Sequence, residues 1–257
     1  MPAPDGVAER IGSRLEGRRP AAAAAIVWLA GFIVLTVVMI GLGLLLTKVL
    51  PGSTVARWDM GVSRWFAAHR TSQWNAWTNV ASQFASPITA IVVAALAGVA
   101  LAIARWWREL GLLAIGLTLE ASVSLASTFV IARPRPPVPR LEATPGTYSY
   151  PSGHAAAAIV LYVGLAIVIS SHVPSRLLSG LAWIIGLTIP VVVGFSRVYR
   201  GLHFSTDVLA SVLLGTACLI AATLAVRSAS EVSVLHSVAL IRRPRDRSPR
   251  SRRGPSG

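Results

Sequence analysis

The sequence predicts an all-α protein, a six-helix transmembrane bundle with one amphipathic segment lying at the membrane interface. Two observations carry this. The 257-residue chain is 54% hydrophobic and only 13% charged, against about 25% charged in an ordinary soluble domain, so it has too little polar surface to cover itself in water. Its apolar residues also gather into six runs, several longer than the roughly 18 residues that suggest a bilayer span.

Residues 1–20 form a polar tail carrying Arg10, Arg14, Arg18 and Arg19. Residues 21–46 then run without a charge until Lys48. That is longer than the apolar core of a signal peptide, about 7–15 residues, and reads as a first span. Residues 57–79 place Trp58, Val62, Trp65 and Phe66 at helical spacing among Asp59, Arg64 and Arg70, with Trp74 and Trp77 following. This is the amphipathic segment, its tryptophans suited to the headgroup layer. The second to sixth spans are expected at 87–104, 110–132, 155–170, 177–195 and 207–226. Residues 21–226 thus form one membrane domain. Residues 227–257 end in an arginine-rich run, 242–253, expected to be disordered because nothing apolar offsets its ordering entropy.

The net charge of +14 collects in the two tails and at span ends. Six spans put both tails on one side, and arginine-rich tails place that side in the cytoplasm. No aromatic-basic motif accompanies the charge, so nucleic acid is not an expected partner. Cys218 is the only cysteine, which rules out an intrachain disulfide and a cysteine metal cluster. It reads as a packing residue. His69, His172 and His236 are expected to be solvated side chains without partners.

The reactive residues gather in two loops that the topology puts on the same, extracytoplasmic face. The first reads Arg133-Pro134-Arg135-Pro136 and, after a gap, Pro151-Ser152-Gly153-His154; the second reads Ser196-Arg197, then His203 and Asp207. Helical spacing would put His203 and Asp207 on one face, where the carboxylate could fix the imidazole tautomer and free the other nitrogen to attack. A simple helix cap is the plainer account of that pair taken alone. Small residues before His154 let backbone N–H groups approach an anion, and His154 could give a proton to a leaving oxygen. Arg135 and Arg197 offer planar, permanent charge to phosphate oxygens.

Arg-Pro, Pro-Ser-Gly-His and Ser-Arg-x5-His-x3-Asp occur in that order, each beside an apolar span. The set resembles the type 2 phosphatidic acid phosphatase (PAP2) superfamily, in its membrane-bound lipid phosphatase branch, over about residues 110–226. The resemblance implies a PAP2/haloperoxidase-like core and a metal-independent lipid phosphatase with no cofactor. It implies that His203 is the nucleophile, Asp207 its orienting carboxylate and His154 the acid and then the base. Arg135, Arg197, Ser152 and Gly153 would hold the phosphoryl oxygens. The implied substrates are phosphatidic acid, phosphatidylglycerol phosphate and polyprenyl phosphates or diphosphates. The same residues could serve a phosphotransferase. One position departs from the pattern: Thr128 stands where the family's first motif has lysine. Arg133 could supply the missing charge; otherwise the clamp is weaker, or the chain is a catalytically impaired lipid-binding or transport homologue. Glu120, inside the third span, forms a polar stripe with Ser124, Ser127 and Thr128. An acid there is costly and is a functional candidate by default, with buried helix packing the plainer reading.

Overall fold

A computed structural model describes residues 6–143 and 148–242. Among these, every regular element is helical. The chain opens with a short helix α1 (Val7–Arg14), followed by α2 (Pro20–Leu44), which continues as a π turn over Leu45–Val49. Two shorter helices come next, α3 (Thr54–Ala68) and α4 (Ser72–Gln83), then α5 (Pro87–Ile103) and α6 (Trp107–Ile131). The helix Gly153–His172 is one apolar stretch in three pieces: α7 (Gly153–Ala158), a π turn Ile159–Val163, and α8 (Gly164–His172). α9 (Arg176–Tyr199) and α10 (Ser205–Arg242) complete the chain.

Five of these stretches are long and apolar enough to cross a membrane, and α4 with α5, bent by 43°, makes a sixth. The amphipathic segment is two helices rather than one. His69 and Arg70 break it, and Thr71 restarts it by accepting the N–H of Trp74 at 3.2 Å, a side-chain cap for an otherwise orphaned donor.

α2, α6 and α10 pack around a core of Met39, Leu119, Val123, Leu214, Cys218 and Leu219. Association inside a bilayer gains little from hydrophobicity and rests on close packing, which favours small residues. Gly215 of α10 shows why: a Cβ there would lie 2.8 Å from Ile159 and 3.0 Å from the Ala156 carbonyl. α7 can therefore lie directly against α10, and the first turn after His154 sits deep in the bundle.

The ends differ from the sequence expectation. The first tail contains α1, which packs on α10: the Ser228 hydroxyl donates to the Ala8 carbonyl at 3.2 Å, and Gly12 sits against Glu231. α10 does not stop near residue 226 but continues to Arg242, with Val232 buried. So 227–242 is helical where disorder was expected, because α1 supplies an apolar partner. The arginine-rich run beyond 242 lies outside the described residues. Two histidines expected to be solvated and without partners are exposed but do have partners. His172 Nε2 meets Glu109 Oε1 at 2.9 Å and stacks on Trp106, while His69 Nδ1 donates to the Trp65 carbonyl at 2.8 Å.

Candidate active site

The two reactive loops meet at one end of the bundle. Leu141 N–H donates to the Arg200 carbonyl at 3.2 Å, and Arg70 ties both together by donating to the carbonyls of Pro139 and Tyr199. Gly201 has φ +77°, and a Cβ there would lie within 3.0 Å of Val138 and the Pro139 carbonyl. Only glycine fits this turn without strain, and the turn delivers His203 to the cluster.

His203 is buried. Its Nδ1 lies 2.6 Å from the Ser149 carbonyl oxygen. A carbonyl only accepts, so Nδ1 carries the proton and Nε2 keeps its lone pair. Arg135 Nη1 sits 3.4 Å from that Nε2 and donates to the Leu202 carbonyl at 2.6 Å. Burial, with Arg197 and Arg135 close by, holds His203 well below the ordinary imidazole range, so the ring is neutral at pH 7.

Asp207 does not take the part that helical spacing suggested. One carboxylate oxygen accepts the Phe204 N–H at 2.9 Å and the other accepts Arg133 Nη1. His203 precedes the first residue of α10, so the i, i+4 rule for a shared helix face does not apply to it. Arg133, expected to supply charge to phosphate, is engaged with other side chains. Its fork is committed to Asp207, Thr206 and Asp59, and its guanidinium lies over the Phe204 ring at 4.2 Å. Thr128 is half-buried, and its hydroxyl makes no hydrogen bond to the site. The lysine's charge is therefore replaced by neither residue.

The Ser152 N–H donates to Ser211 Oγ at 2.8 Å, and Ser211 in turn donates to the Asp207 carbonyl at 2.7 Å. This leaves the Ser152 hydroxyl buried without a partner, an unusual state for a buried polar atom and one a phosphoryl oxygen could satisfy. Gly153 opens α7, and His154 follows it among the charges of Arg197, Glu142 and Arg135. Arg197 is 2% exposed. Its Nη1 donates to Ser82 Oγ at 2.6 Å and to Glu142 Oε2 at 3.2 Å, while its Nε is buried and unpartnered. The structure thus brings His203, His154, Arg135, Arg197, Ser152 and Gly153 to one place. Asp207 stands behind them.

Five participants gave no signal in the sequence. Ser149 acts through its backbone. Ser82 and Asp59 come from α4 and α3. Arg200 sits inside the third motif, at one of its unspecified positions. Glu142 lies in the gap between the first two motifs. Among the described residues, no three His, Cys, Asp or Glu side chains come together as metal ligands would. Beside the site, an apolar groove of about 690 Å³ runs between α4 and α9, lined by Trp74, Trp77, Phe84 and Phe195. Ser82 and Arg197 belong to the same two helices.

Known proteins resemble this chain over the segment that carries most of the motifs. Residues 109–231 match the PAP2 superfamily. An undecaprenyl-diphosphatase of Sulfolobus acidocaldarius is 37% identical over 115 residues, 40% of this chain and 50% of that protein. Phosphatidylglycerophosphatase B of Bacillus subtilis is 43% identical over 72 residues, 27% of this chain and 34% of that protein. The matches therefore span half or less of these relatives' own length. The crystal structure of a transmembrane PAP2-type phosphatidylglycerolphosphate phosphatase from Bacillus subtilis superposes with a TM-score of 0.60 at 20% identity, covering 88% of this chain and 98% of that one. It has the same fold. Residues 109–231, with the motifs in order, resemble the PAP2 superfamily, and the apolar helices around them make this a multi-pass membrane protein.

Proposed function

We propose that this protein is a metal-independent lipid phosphatase that hydrolyses a lipid phosphate or diphosphate through a phosphohistidine on His203. The observation that carries the reading is the Ser149–His203–Arg135 line: a buried, neutral imidazole with its proton on Nδ1 and its Nε2 lone pair beside an arginine. The Nε2 lone pair attacks phosphorus and the bond to the lipid oxygen breaks. His154, which takes up a proton once the anionic substrate is bound beside it, gives that oxygen its proton. His154 then takes a proton from water, the water oxygen attacks phosphorus, and the P–N bond breaks to release phosphate. Arg135, Arg197, Ser152 and the Gly153 N–H stabilise the equatorial oxygens, where preorganised donors contribute most. Positive charge comes from arginines rather than from a cation.

A polyprenyl diphosphate is the favoured substrate. The undecaprenyl-diphosphatase match is the longer of the two curated ones, and the groove between α4 and α9 gives a hydrocarbon tail a path along the bilayer from Arg197. The site faces away from the cytoplasm and both chain ends face into it. A phosphotransferase would use the same residues with a lipid or sugar hydroxyl in place of water. The bare Thr128 position favours, as a second reading, a lipid-binding homologue without turnover.

Phosphate release by the purified protein decides between them. With polyprenyl diphosphate, phosphatidic acid and phosphatidylglycerol phosphate and no added acceptor, release is expected from wild type and a loss of at least about 10³-fold in His203→Ala. Equal inactivity of both proteins on all three lipids defeats the phosphatase reading. Release only when an acceptor alcohol is supplied identifies the transferase.

A further inference from the structure

Among the described residues Glu142 is a carboxylate bonded directly to a clamp arginine, and neither proposed step uses it. Its Oε2 accepts Arg197 Nη1 at 3.2 Å and Arg200 Nε at 3.3 Å, and the Ser82 hydroxyl reaches the same oxygen at 3.4 Å. Its Oε1 accepts Arg197 Nη1 at 3.4 Å. Arg197 is the motif arginine that would hold phosphate, so the carboxylate occupies donors that a phosphoryl group needs. Burial alone would push this carboxyl up, but Arg197 and Arg200 overcome that and hold it below the usual carboxylate range. It is thus an anion at neutral pH, and its side chain remains 32% exposed, free to swing outward.

We infer that Glu142 is a specificity-determining residue, a tethered anion that keeps phosphodiester headgroups out of the arginine clamp and yields it to phosphomonoesters and diphosphates. This rests on the proposed function of the clamp. The physical argument is a competition between anions. A bilayer presents the site with an excess of phosphodiester lipids, each carrying one negative charge and two terminal oxygens. Glu142 also carries one charge and two oxygens, and its tether gives it an effective concentration on the order of millimolar. A phosphodiester gains nothing over it. A phosphomonoester carries about −1.5 to −2 at pH 7 and three acceptor oxygens, so it makes more charge-assisted bonds with Arg197, Arg200 and Ser82 and displaces the carboxylate. Exclusion of a wrong ligand by an occupant of equal charge is specificity by penalty rather than by added attraction.

The test compares wild type with Glu142→Gln, which keeps the size and removes the charge, and with Glu142→Ala. Binding of short-chain phosphatidylglycerol and of inorganic phosphate to the purified, detergent-solubilised protein is measured by calorimetry, with a thermal melt to establish folding. Phosphatidylglycerol is expected to bind wild type weakly and both variants about tenfold or more tightly, the signature of a lost competitor worth about 1.4 kcal/mol. Phosphate should tighten by a smaller factor. Unchanged phosphatidylglycerol binding in folded variants overturns the inference, as does weaker phosphate binding, which would make Glu142 part of the receptor. Because the readout is binding, it stands whether or not lipid phosphate is turned over, and failure of the phosphatase assay would be seen separately.

Discussion

At the scale of single residues, the distinguishing feature is which group holds the imidazole. Spacing in the sequence singled out His203 and Asp207, and both are at the site, but the hydrogen bond to Nδ1 comes from the Ser149 carbonyl. No side-chain pattern announces a backbone acceptor 54 residues away in the chain. Asp207 acts one step removed, through Arg133 and the Phe204 N–H. Asp207→Asn should therefore leave the His203 tautomer intact, and its activity loss is expected to be at least tenfold smaller than that of His203→Ala; kcat for the two variants checks this. The depressed pKa of His203 fixes a pH dependence. The folded form keeps the ring neutral while the unfolded chain takes up a proton near 6.5. The stability so gained is complete above that value and is lost as pH falls toward the lower folded pKa. The acid limb of kcat/KM assigned to the nucleophile should accordingly lie below pH 6.5, and a limb above it would contradict the buried neutral ring.

At the scale of elements, α3 and α4 do more than their amphipathic pattern suggests. Asp59 of α3, 1% exposed, accepts Arg133 Nη2 at 3.0 Å and the Thr206 N–H at 3.0 Å, so it caps the start of α10. The sequence placed residue 59 on a polar face and gave no reason to look further. Its partners lie more than 70 residues away, where helical periodicity carries no information. Asp59→Ala leaves a buried guanidinium with one carboxylate fewer and an orphaned N–H. The expected cost is about 3 kcal/mol, read as a lowered thermal midpoint with loss of activity following it. Helix types and spans were largely legible because an apolar run of bilayer length has few alternatives. The break at His69–Arg70 and the extension of α10 to Arg242 were not, since each depends on a partner element. Glu120 stays unassigned: it is 4% exposed, and its Oε1 has no hydrogen-bond partner among the described residues.

At the scale of the whole molecule, α10 spans 38 residues, about 57 Å at 1.5 Å per residue, well beyond the ~30 Å hydrocarbon layer. It begins beside the His203 loop and its later turns pack against α1, so the candidate site and α1 lie at opposite ends of the bundle. The proposed orientation can be read chemically because Cys218, the single native thiol, is fully buried. In intact cells a membrane-impermeant maleimide should label Pro137→Cys, in the loop beside the site, and should label Glu16→Cys only after permeabilisation. The opposite pattern would invert the molecule. Vanadate, which mimics five-coordinate phosphorus, should inhibit turnover, and strong activity unaffected by it would count against a histidine nucleophile. Thr128→Lys should raise turnover or substrate affinity if the missing charge limits the clamp.

The Ser149 carbonyl has a consequence for how such a site is mapped. Mutational scanning replaces side chains, and Ser149→Ala keeps the carbonyl oxygen in place. A survey of single substitutions would therefore score position 149 by its hydroxyl, which bonds the carbonyls of Arg133 and Pro134, and would miss the atom that fixes the His203 tautomer. That atom is reached only by backbone chemistry, such as an ester in place of the peptide bond after residue 149, which weakens the acceptor without altering any side chain.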